Sequence, residues 1–408
     1  MVSGGAETVS APAAGTLPPY SVWQMTAYAL RLGALGFGGP VALVGYMHRD
    51  LVERRRWISE ADYKEGLTLA QLMPGPLAAQ LAIYLGYVHY GVVGATLVGI
   101  AFILPSFLIV VALGWAYKSF GGLSWMQAVF YGVGSSVIGI ITISAFNLTK
   151  KTIGKDWLLW SIYLASALVT VCTESETILL FVGAGLITWM IRAPRSCRTP
   201  PPQTTSWLAA LPFAAALTKS QAGEFATLGQ MALFFTKAGA FVFGSGLAIV
   251  PFLYSGVVNE YHWLDDRQFL DAVAVAMITP GPVVITVGFI GYLVGGFAGA
   301  TVAALATFLP CYLLTIIPAP YFKKHGKRPG IVAFVEGVTA AAIGAIAGAV
   351  VVLGRRTIFA NGWTPEVPRL LILGVTLFVL WKFKNLPEPV IVLAAAVAGL
   401  VAYPLVYR

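Results

Sequence analysis

The sequence predicts an all-α polytopic membrane protein of two inverted-topology repeats, with about 10–13 transmembrane segments and a broken or re-entrant helix at each of two Pro-Gly-Pro motifs. Three observations predict it. Only 11% of the 408 residues are charged and 58% are hydrophobic, against roughly a quarter charged in an ordinary soluble chain. Apolar stretches of about twenty residues, long enough to span a bilayer, recur along the chain. The second half repeats the first at a fixed offset, with the charges of matching loops exchanged.

Composition also excludes several classes. Twenty-six Lys and Arg against 17 Asp and Glu leave a formal charge of +9, yet these charges sit in short clusters between apolar runs. No continuous basic face is available for nucleic acid. Cys172, Cys197 and Cys311 are far apart and lack CxxC spacing, so neither a disulfide framework nor a zinc site is expected. His48, His89, His262 and His325 show no ligand spacing, lie near loops and are read as solvated. No metal, cofactor or catalytic group is expected. A membrane enzyme acting on lipid-linked substrates would need clustered acid, base or metal-binding residues, and none is visible.

Residues 1–19 lack a basic stretch followed by an apolar core, so they read as a disordered tail and not as a signal peptide. The N-terminal repeat occupies 20–200. A Pro-rich linker, 201–224, has room for one short crossing at 207–217, and the C-terminal repeat occupies 225–408. Uninterrupted spans are 91–117, 125–147, 157–171, 177–192, 297–320, 333–354, 367–382 and 387–406. The stretches 22–47 and 228–256 are interrupted by glycine clusters, and 66–88 and 272–294 are split by Pro-Gly-Pro.

Sliding the chain by 206 residues places Arg31 on Lys237, Gly33 on Gly239, Phe37-Gly38 on Phe243-Gly244 and Trp57 on Trp263. Glu65 falls on Asp271, and Pro74-Gly75-Pro76 on Pro280-Gly281-Pro282, without a gap. After one deletion Gly86, Gly91 and Leu104-Pro105 fall on Gly291, Gly296 and Leu309-Pro310. An ordered series over about a hundred residues means duplication.

Loop charge orients the halves, because Lys and Arg favour the cytoplasmic side of short loops. The loop 48–57 carries Arg49, Arg54, Arg55 and Arg56, whereas its counterpart 259–267 carries Glu260, Asp265 and Asp266 against one Arg. One loop further on, Lys118 stands alone in the first half, and Lys323, Lys324, Lys327 and Arg328 cluster in the second. Matching loops therefore lie on opposite faces, and the halves are inverted. If 66–88 dips in and returns to the same face, Lys150, Lys151, Lys155 and Arg192 fall inside and Glu174 and Glu176 outside, so each Pro-Gly-Pro segment is expected to reverse. Loop charge leaves open whether the glycine-cluster segments cross or also fold back.

Proline and glycine break a helix inside an apolar stretch, and irregular backbone at membrane depth persists only where protein or a water-filled cavity surrounds it. Broken helices in inverted repeats place helix ends at a site near the midplane, where free N–H groups and a partial positive charge suit an anion. The candidate anion-binding residues are therefore Pro74, Gly75, Pro76, Pro280, Gly281 and Pro282; a packing kink is the alternative, since Pro and Gly are common in membrane helices. Gly38, Gly39, Gly244 and Ser245 join them where glycine-rich backbone exposes N–H groups; close helix packing would account for these four equally. Arg31 and Lys237 stand five or six residues before the glycine breaks, placed either to contact an anion or to reach an interface. Gln80 and Thr286 match by the same offset; both can hydrogen-bond an oxygen, and both could equally hold helices together. Ser106, beside Pro105, is a weaker polar candidate. Glu65 and Asp271 are a matched carboxylate pair, read either as a proton-coupling pair or as charges opening a helix at the water interface. Trp57 and Trp263 are expected as interfacial anchors.

The runs Arg31-Leu-Gly-Ala-Leu-Gly-Phe-Gly-Gly-Pro40, Arg55-Arg56-Trp57-Ile58-Ser59, Leu72-Met-Pro-Gly-Pro76 with Gln80, and Phe102-Ile-Leu-Pro105 resemble the chromate ion transporter family in its long, two-repeat form. So do Phe243-Gly-Ser-Gly246, Trp263-Leu-Asp-Asp-Arg267, Thr279-Pro-Gly-Pro282 and Phe308-Leu-Pro310 in the second half. The resemblance covers about 22–150 and 228–355. It implies a multi-pass carrier in the bacterial inner membrane that expels chromate and confers resistance, with sulfate as a look-alike cargo. Gly36 stands where that family commonly has Ser, and Ser245 where it commonly has Gly. The expected partners are thus a small inorganic oxyanion and the lipid bilayer; a homodimer is compatible with the sequence and not required by it. An inside-negative potential drives each negative charge outward by about 2.3 kcal/mol per 100 mV, so a dianion can be expelled without a coupled ion.

Overall fold

The computed structural model describes residues 19–37, 39–120, 124–173, 178–192, 224–240, 249–321, 329–358, 366–383, 386 and 388–406. The tail, nearly all of the linker, and Gly38, Gly244 and Ser245 lie outside these residues. All regular structure within them is helical.

The chain opens with two helical hairpins. Helix α1 (Val22–Leu35) is capped by Ser21, whose hydroxyl accepts from the Gln24 N–H. It buries Met25, Tyr28, Ala29 and Leu32, one face at three- and four-residue spacing, and stops at Gly36. Helix α2 (Gly39–Met47) then runs back and continues as a π-helical turn through His48–Arg54. The reversal is explicit in the contacts. The Tyr28 hydroxyl donates to the Tyr46 carbonyl at 3.4 Å, and Tyr20 stacks on Trp57 with ring centroids 5.0 Å apart.

Helix α3 (Glu60–Leu72), capped by Ser59, enters next, and α4 (Leu77–Phe120) leaves after Pro74-Gly75-Pro76. Gly66 lies against the Tyr84 ring, and the Tyr84 hydroxyl donates to Glu65 Oε1 at 2.7 Å, so the limbs are antiparallel about the motif. Helix α4 breaks at Gly91, which separates the return limb 77–90 from a long crossing. The bases of both hairpins are tied together: Tyr20 Oη meets His89 Nδ1 at 2.7 Å, and the Tyr90 hydroxyl donates to the Tyr20 carbonyl.

The second half repeats this. Helix α8 (Glu224–Ala240) is followed by α9 (Ile249–Tyr254), which also continues as a π-helical turn, Ser255–Glu260. Phe234 stacks on Phe252 at 5.3 Å, the pair matching Tyr28 and Tyr46. Helix α10 (Asp266–Ile278), with a capping box from Asp265, leads into Pro280-Gly281-Pro282. Helix α11 (Thr286–Ile316) leaves and breaks at Gly295-Gly296. Non-glycine residues of positive φ occur at matched places, Arg56 and His262.

The expected reversals at both Pro-Gly-Pro motifs are present, and the question left open for the glycine clusters is answered: both of those segments also fold back. With a rise of about 1.5 Å per residue, the 14 residues of α1 and the 13 of α3 reach about 20 Å, some two-thirds of the ~30 Å hydrocarbon core.

Each half then adds three further helices. They are α5 (Ser124–Thr152), α6 (Trp157–Thr173) and α7 (Ile178–Arg192), and α12 (Pro329–Ile358), α13 (Val367–Lys382) and α14 (Glu388–Val406). Their packing is exchanged between halves: α6 and α7 lie on α12, while α13 and α14 lie on α5. Small residues permit the approach. Ser166 donates to the Ala341 carbonyl at 2.7 Å, and a Cβ on Gly132 would press on the Ala395 carbonyl. Arg192 pairs with Asp156 of its own half and Glu336 of the other. Four helical stretches, 77–120, 125–150, 283–321 and 332–355, are by themselves long and apolar enough to cross a membrane. Among the described residues, the eight unreversed stretches and four hairpins fall within the expected ten to thirteen segments when each hairpin counts as one.

Inversion is visible where the equivalent crossings of α4 and α11 meet. Thr96 Oγ1 lies 2.6 Å from the Tyr312 hydroxyl, and Phe107 packs edge-on against Phe297 at 6.3 Å. The earlier residue of one stretch thus meets the later residue of the other, and equivalent helices run antiparallel. Exposed Arg54 and Glu260, which match by the 206 offset, should therefore lie on opposite faces. In a chain freed of its three cysteines, a membrane-impermeant maleimide is expected to label Arg54→Cys only in everted vesicles and Glu260→Cys only in intact cells. Labelling of both from one side would remove the inverted topology.

Two smaller expectations are corrected. Trp57 is buried under Tyr20 and the Arg55 guanidinium and locks its hairpin base from within, whereas the matching Trp263 is half-buried and stacks on Tyr261 at 4.6 Å. His48 is not merely solvated either: it bridges Glu53 and Glu60 and holds the linkage between the two first-half hairpins.

Candidate functional site

The hairpin tips of the two halves meet. The backbone N–H of Gly281 donates to the Gly36 carbonyl at 2.9 Å, joining the second-half Pro-Gly-Pro to the first-half glycine reversal. Because the halves are inverted and each limb stops about 20 Å in, this contact joins segments that enter from opposite faces. Gly36 ends α1 with extended backbone, and its own N–H returns to the Leu32 carbonyl at 2.7 Å.

A reciprocal pattern supports both motifs. Gly281 (φ 92°) lies against Ser106 of α4, and a Cβ there would collide with the Ser106 hydroxyl oxygen. Gly75 (φ 142°) lies against Cys311 of α11, whose sulfur would be 3.1 Å from a Cβ. Ser106 and Cys311 each follow the Leu-Pro pair of their half. Each Pro-Gly-Pro thus packs on the helix of the opposite repeat, one residue beyond its proline. Both glycines have φ values that an L side chain rarely adopts.

Around the tips the described polar groups are fully buried: Gln80, Ser106, Thr286 and Thr307 are each 0% exposed. Gln80 Nε2 donates to the Pro74 carbonyl at 2.8 Å, and the Thr286 hydroxyl donates to the Val283 carbonyl at 2.7 Å. These matched side chains, expected to reach a ligand oxygen, each brace the backbone of their own motif. Helices α2 and α4 begin at the tips, with Gly39 in the first turn of α2 and Leu77 following Pro76. The tips are lined by backbone amides, hydroxyls and one amide side chain, and Pro74, Pro76, Pro280 and Pro282 deny them some donors. Such a lining suits an anion better than a cation.

Arg31 and Lys237 are exposed on α1 and α8, off the faces that pack into the core. Arg31 lies five residues before Gly36, about 7 Å back along the helix from the tip. The structure places neither among the buried polar groups at the tips.

Glu65 and Asp271 diverge despite their matched positions. Glu65 is half-buried and accepts from Tyr84 of its own half. Asp271 is 3% exposed and accepts from the Tyr117 hydroxyl of the other half at 2.7 Å. Its expected alternative, a charge opening a helix at the water interface, does not describe a side chain so enclosed. Sequence reasoning missed Tyr84, Tyr117 and Cys311. Tyr84 and Tyr117 have no residue of the same type at their repeat positions, so the duplication gave no signal for them, whereas Cys311 falls on the candidate Ser106 and could have been found through it.

A separate groove between α4 and α11, lined by Ile100, Leu104, Phe107, Leu305, Leu309 and Tyr312, is almost wholly apolar and offers nothing to an anion.

The sequence pattern of the family described as "Chromate transporter" matches residues 23–189 and 229–400, one match in each half. A "Chromate transport protein" of Cupriavidus metallidurans is 64% identical over 410 residues, covering 98% of both chains. A "Probable chromate transport protein" of Synechococcus elongatus is 63% identical over 385 residues, covering 94% of this chain and 96% of its own. A "Chromate transport protein" of Pseudomonas aeruginosa is 30% identical over 400 residues, covering 95% and 94%. No solved structure matches the chain.

Proposed function

This chain belongs to the chromate transporter family, and from that premise we propose that it exports chromate from the cytoplasm across the bacterial inner membrane and so confers chromate resistance. The observation that carries this reading is the 2.9 Å bond between Gly281 and Gly36, where reversals entering from opposite faces abut. Two half-depth hairpins on each side, closed against each other at their tips, suit alternating access. Rocking one repeat against the other opens the junction to one face at a time.

The anion passes between the two Pro-Gly-Pro tips, where backbone amides at the N-termini of α2 and α4 supply a positive lining without fixed charge. Arg31 guides it from the cytoplasmic side, and Lys237 plays the matching role outside. The absence of an ion-pair partner for either side chain among the described residues supports this: each cation is free to meet a mobile anion. The charged form of an unpaired side chain at that depth is costly against lipid, which favours a wet vestibule beside each. The membrane potential supplies the outward drive. Asp271 and Tyr117, joined across the two repeats, form the place where a coupled proton would act.

The test uses everted membrane vesicles from cells expressing the chain, energised to an inside-positive potential. Chromate is expected to accumulate over control vesicles and to leave when the potential is collapsed. No accumulation above control would end the export reading. Accumulation of sulfate that chromate does not inhibit would transfer the site to sulfate.

A further inference from the structure

Gln80 holds an anomaly at the tip of the first-half Pro-Gly-Pro. The side chain is 0% exposed, yet among the described residues no group donates to its Oε1. The orientation of the amide is not arbitrary. The Pro74 carbonyl can only accept, so Gln80 must turn its NH2 toward it, at 2.8 Å, and the oxygen is left facing away. The amide nitrogen and carbon lie 2.6 and 2.7 Å from where a Cβ on Gly75 would stand, so the group lies directly against the tip. A buried acceptor without a donor is unfavourable, and such groups in native proteins call for an explanation.

A fully ionised oxyanion makes the situation worse. Chromate or sulfate as a dianion offers only acceptors, and its lone pairs would face the lone pairs of Oε1. A hydrogen-bearing monoanion relieves it, with O–H donating to Oε1 while the remaining oxygens take the backbone amides. We propose that this transporter binds its oxyanion in the monoprotonated form, with the Gln80 carbonyl accepting the anion's own proton. The proposal rests on the oxyanion reading of the site and deepens it. Chromate is a weak acid whose second ionisation lies close to neutrality, so hydrogen chromate is plentiful in a cell. Sulfate retains no proton there. A single acceptor therefore separates two tetrahedral anions of nearly equal size, as sites built to pair a substrate hydroxyl reject analogues that lack it. One proton leaves with each anion, and one elementary charge crosses per chromate instead of two.

The test measures binding of radiolabelled chromate to the full-length chain in lipid nanodiscs, where no gradient exists, between pH 6 and 8.5. Above chromate's own ionisation the apparent Kd for total chromate is expected to rise about tenfold per pH unit, because the competent fraction falls by that factor. Selenate, a dianion without a proton in this range, should compete at least about a hundredfold more weakly and with no pH dependence. Among the described residues, the titratable groups facing Gln80 are the Cys311 thiol from α11 and, one turn along α4, Tyr84 with its Glu65 partner. If one of these carried the proton, selenate binding would follow the same slope, and that outcome overturns the proposal. Perchlorate, a monoanion with no hydrogen, should also compete poorly; competition equal to hydrogen chromate would mean that charge alone is read, and overturns it too. Gln80→Met, whose thioether donates nothing and accepts only weakly, is expected to flatten the pH profile and bring selenate and chromate within about threefold. Should that variant fail to fold, the wild-type profile still decides. A flat wild-type profile with normal chromate binding overturns this inference alone, whereas no chromate binding at any pH overturns the oxyanion reading with it.

Discussion

Gly281→Ala is expected to lower chromate accumulation in everted vesicles by more than about a hundredfold while the protein still reaches the membrane. Three effects converge on one methyl group. At φ 92° the backbone is one that alanine adopts only with strain of order 1–3 kcal/mol. The new Cβ would collide with the Ser106 oxygen, and relief requires the tip to move off α4. That movement breaks the bond from the Gly281 N–H to the Gly36 carbonyl, the link between reversals from opposite faces. Overpacking alone costs typically 1–3 kcal/mol, which a bundle of this size can survive; loss of tip registration it cannot survive as a transporter. Adding Ser106→Gly removes the collision but not the backbone strain, so the double variant should recover part of the rate. Gly75→Ala, at φ 142°, carries the same kind of backbone strain and would press its Cβ on the buried Gln80 amide and the Cys311 sulfur, so it should also lower transport, through displacement of the Gln80 side chain. Immunoblots of the membranes and the transport rate together check the series. Wild-type transport by Gly281→Ala would show that the tips do not form the pathway.

The parts of this architecture that were legible in sequence are those that duplication wrote twice. Pro74-Gly75-Pro76 and its copy announce a reversal, because two prolines and a glycine cannot continue a helix and the flanking apolar length is too great for a loop. The glycine clusters were ambiguous for a physical reason: membrane helices tolerate glycine where neighbours approach closely, so Gly36-Phe37-Gly38-Gly39 could be packing or a turn. Only the pairing of Tyr20 with Trp57 and of Tyr28 with Tyr46 decides for the turn. Inversion was legible in the exchange of Arg54 for Glu260 and is visible again in Thr96 meeting Tyr312. Contacts across the repeats were not legible. Nothing in the local pattern says that Cys311 lies beside Gly75, or that Tyr117 reaches Asp271, because these partners are far apart in the chain and meet only across the two repeats. The same limit explains Trp57, whose position beside a basic loop indicates an anchor while its ring is buried by Tyr20.

Neutralising Arg31 and Lys237 should separate the two faces of the transporter. In everted vesicles the cytoplasmic face is outermost, so Arg31→Gln should raise the KM for chromate uptake with less effect on the maximal rate. A charge-assisted contact contributes about 1.5–3 kcal/mol, which corresponds to roughly ten- to a hundredfold in KM. Lys237→Gln should leave that KM near its wild-type value and instead weaken exchange of chromate from the lumen, which is the outer face of the cell. An interfacial anchor would behave differently. An anchor needs only a long side chain with a charged end, so Arg31→Lys would match wild type and Arg31→Gln would lower the amount of inserted protein instead of raising KM. Arg31→Lys thus discriminates a guide that grips two oxygens with parallel N–H bonds from a mere cation, because lysine supplies a point charge without that fork. Equal KM values for wild type, Arg31→Gln and Lys237→Gln in both directions would exclude both residues from the anion's path. The tips alone would then have to draw a charged solute from water, and backbone amides without a full charge nearby do that weakly.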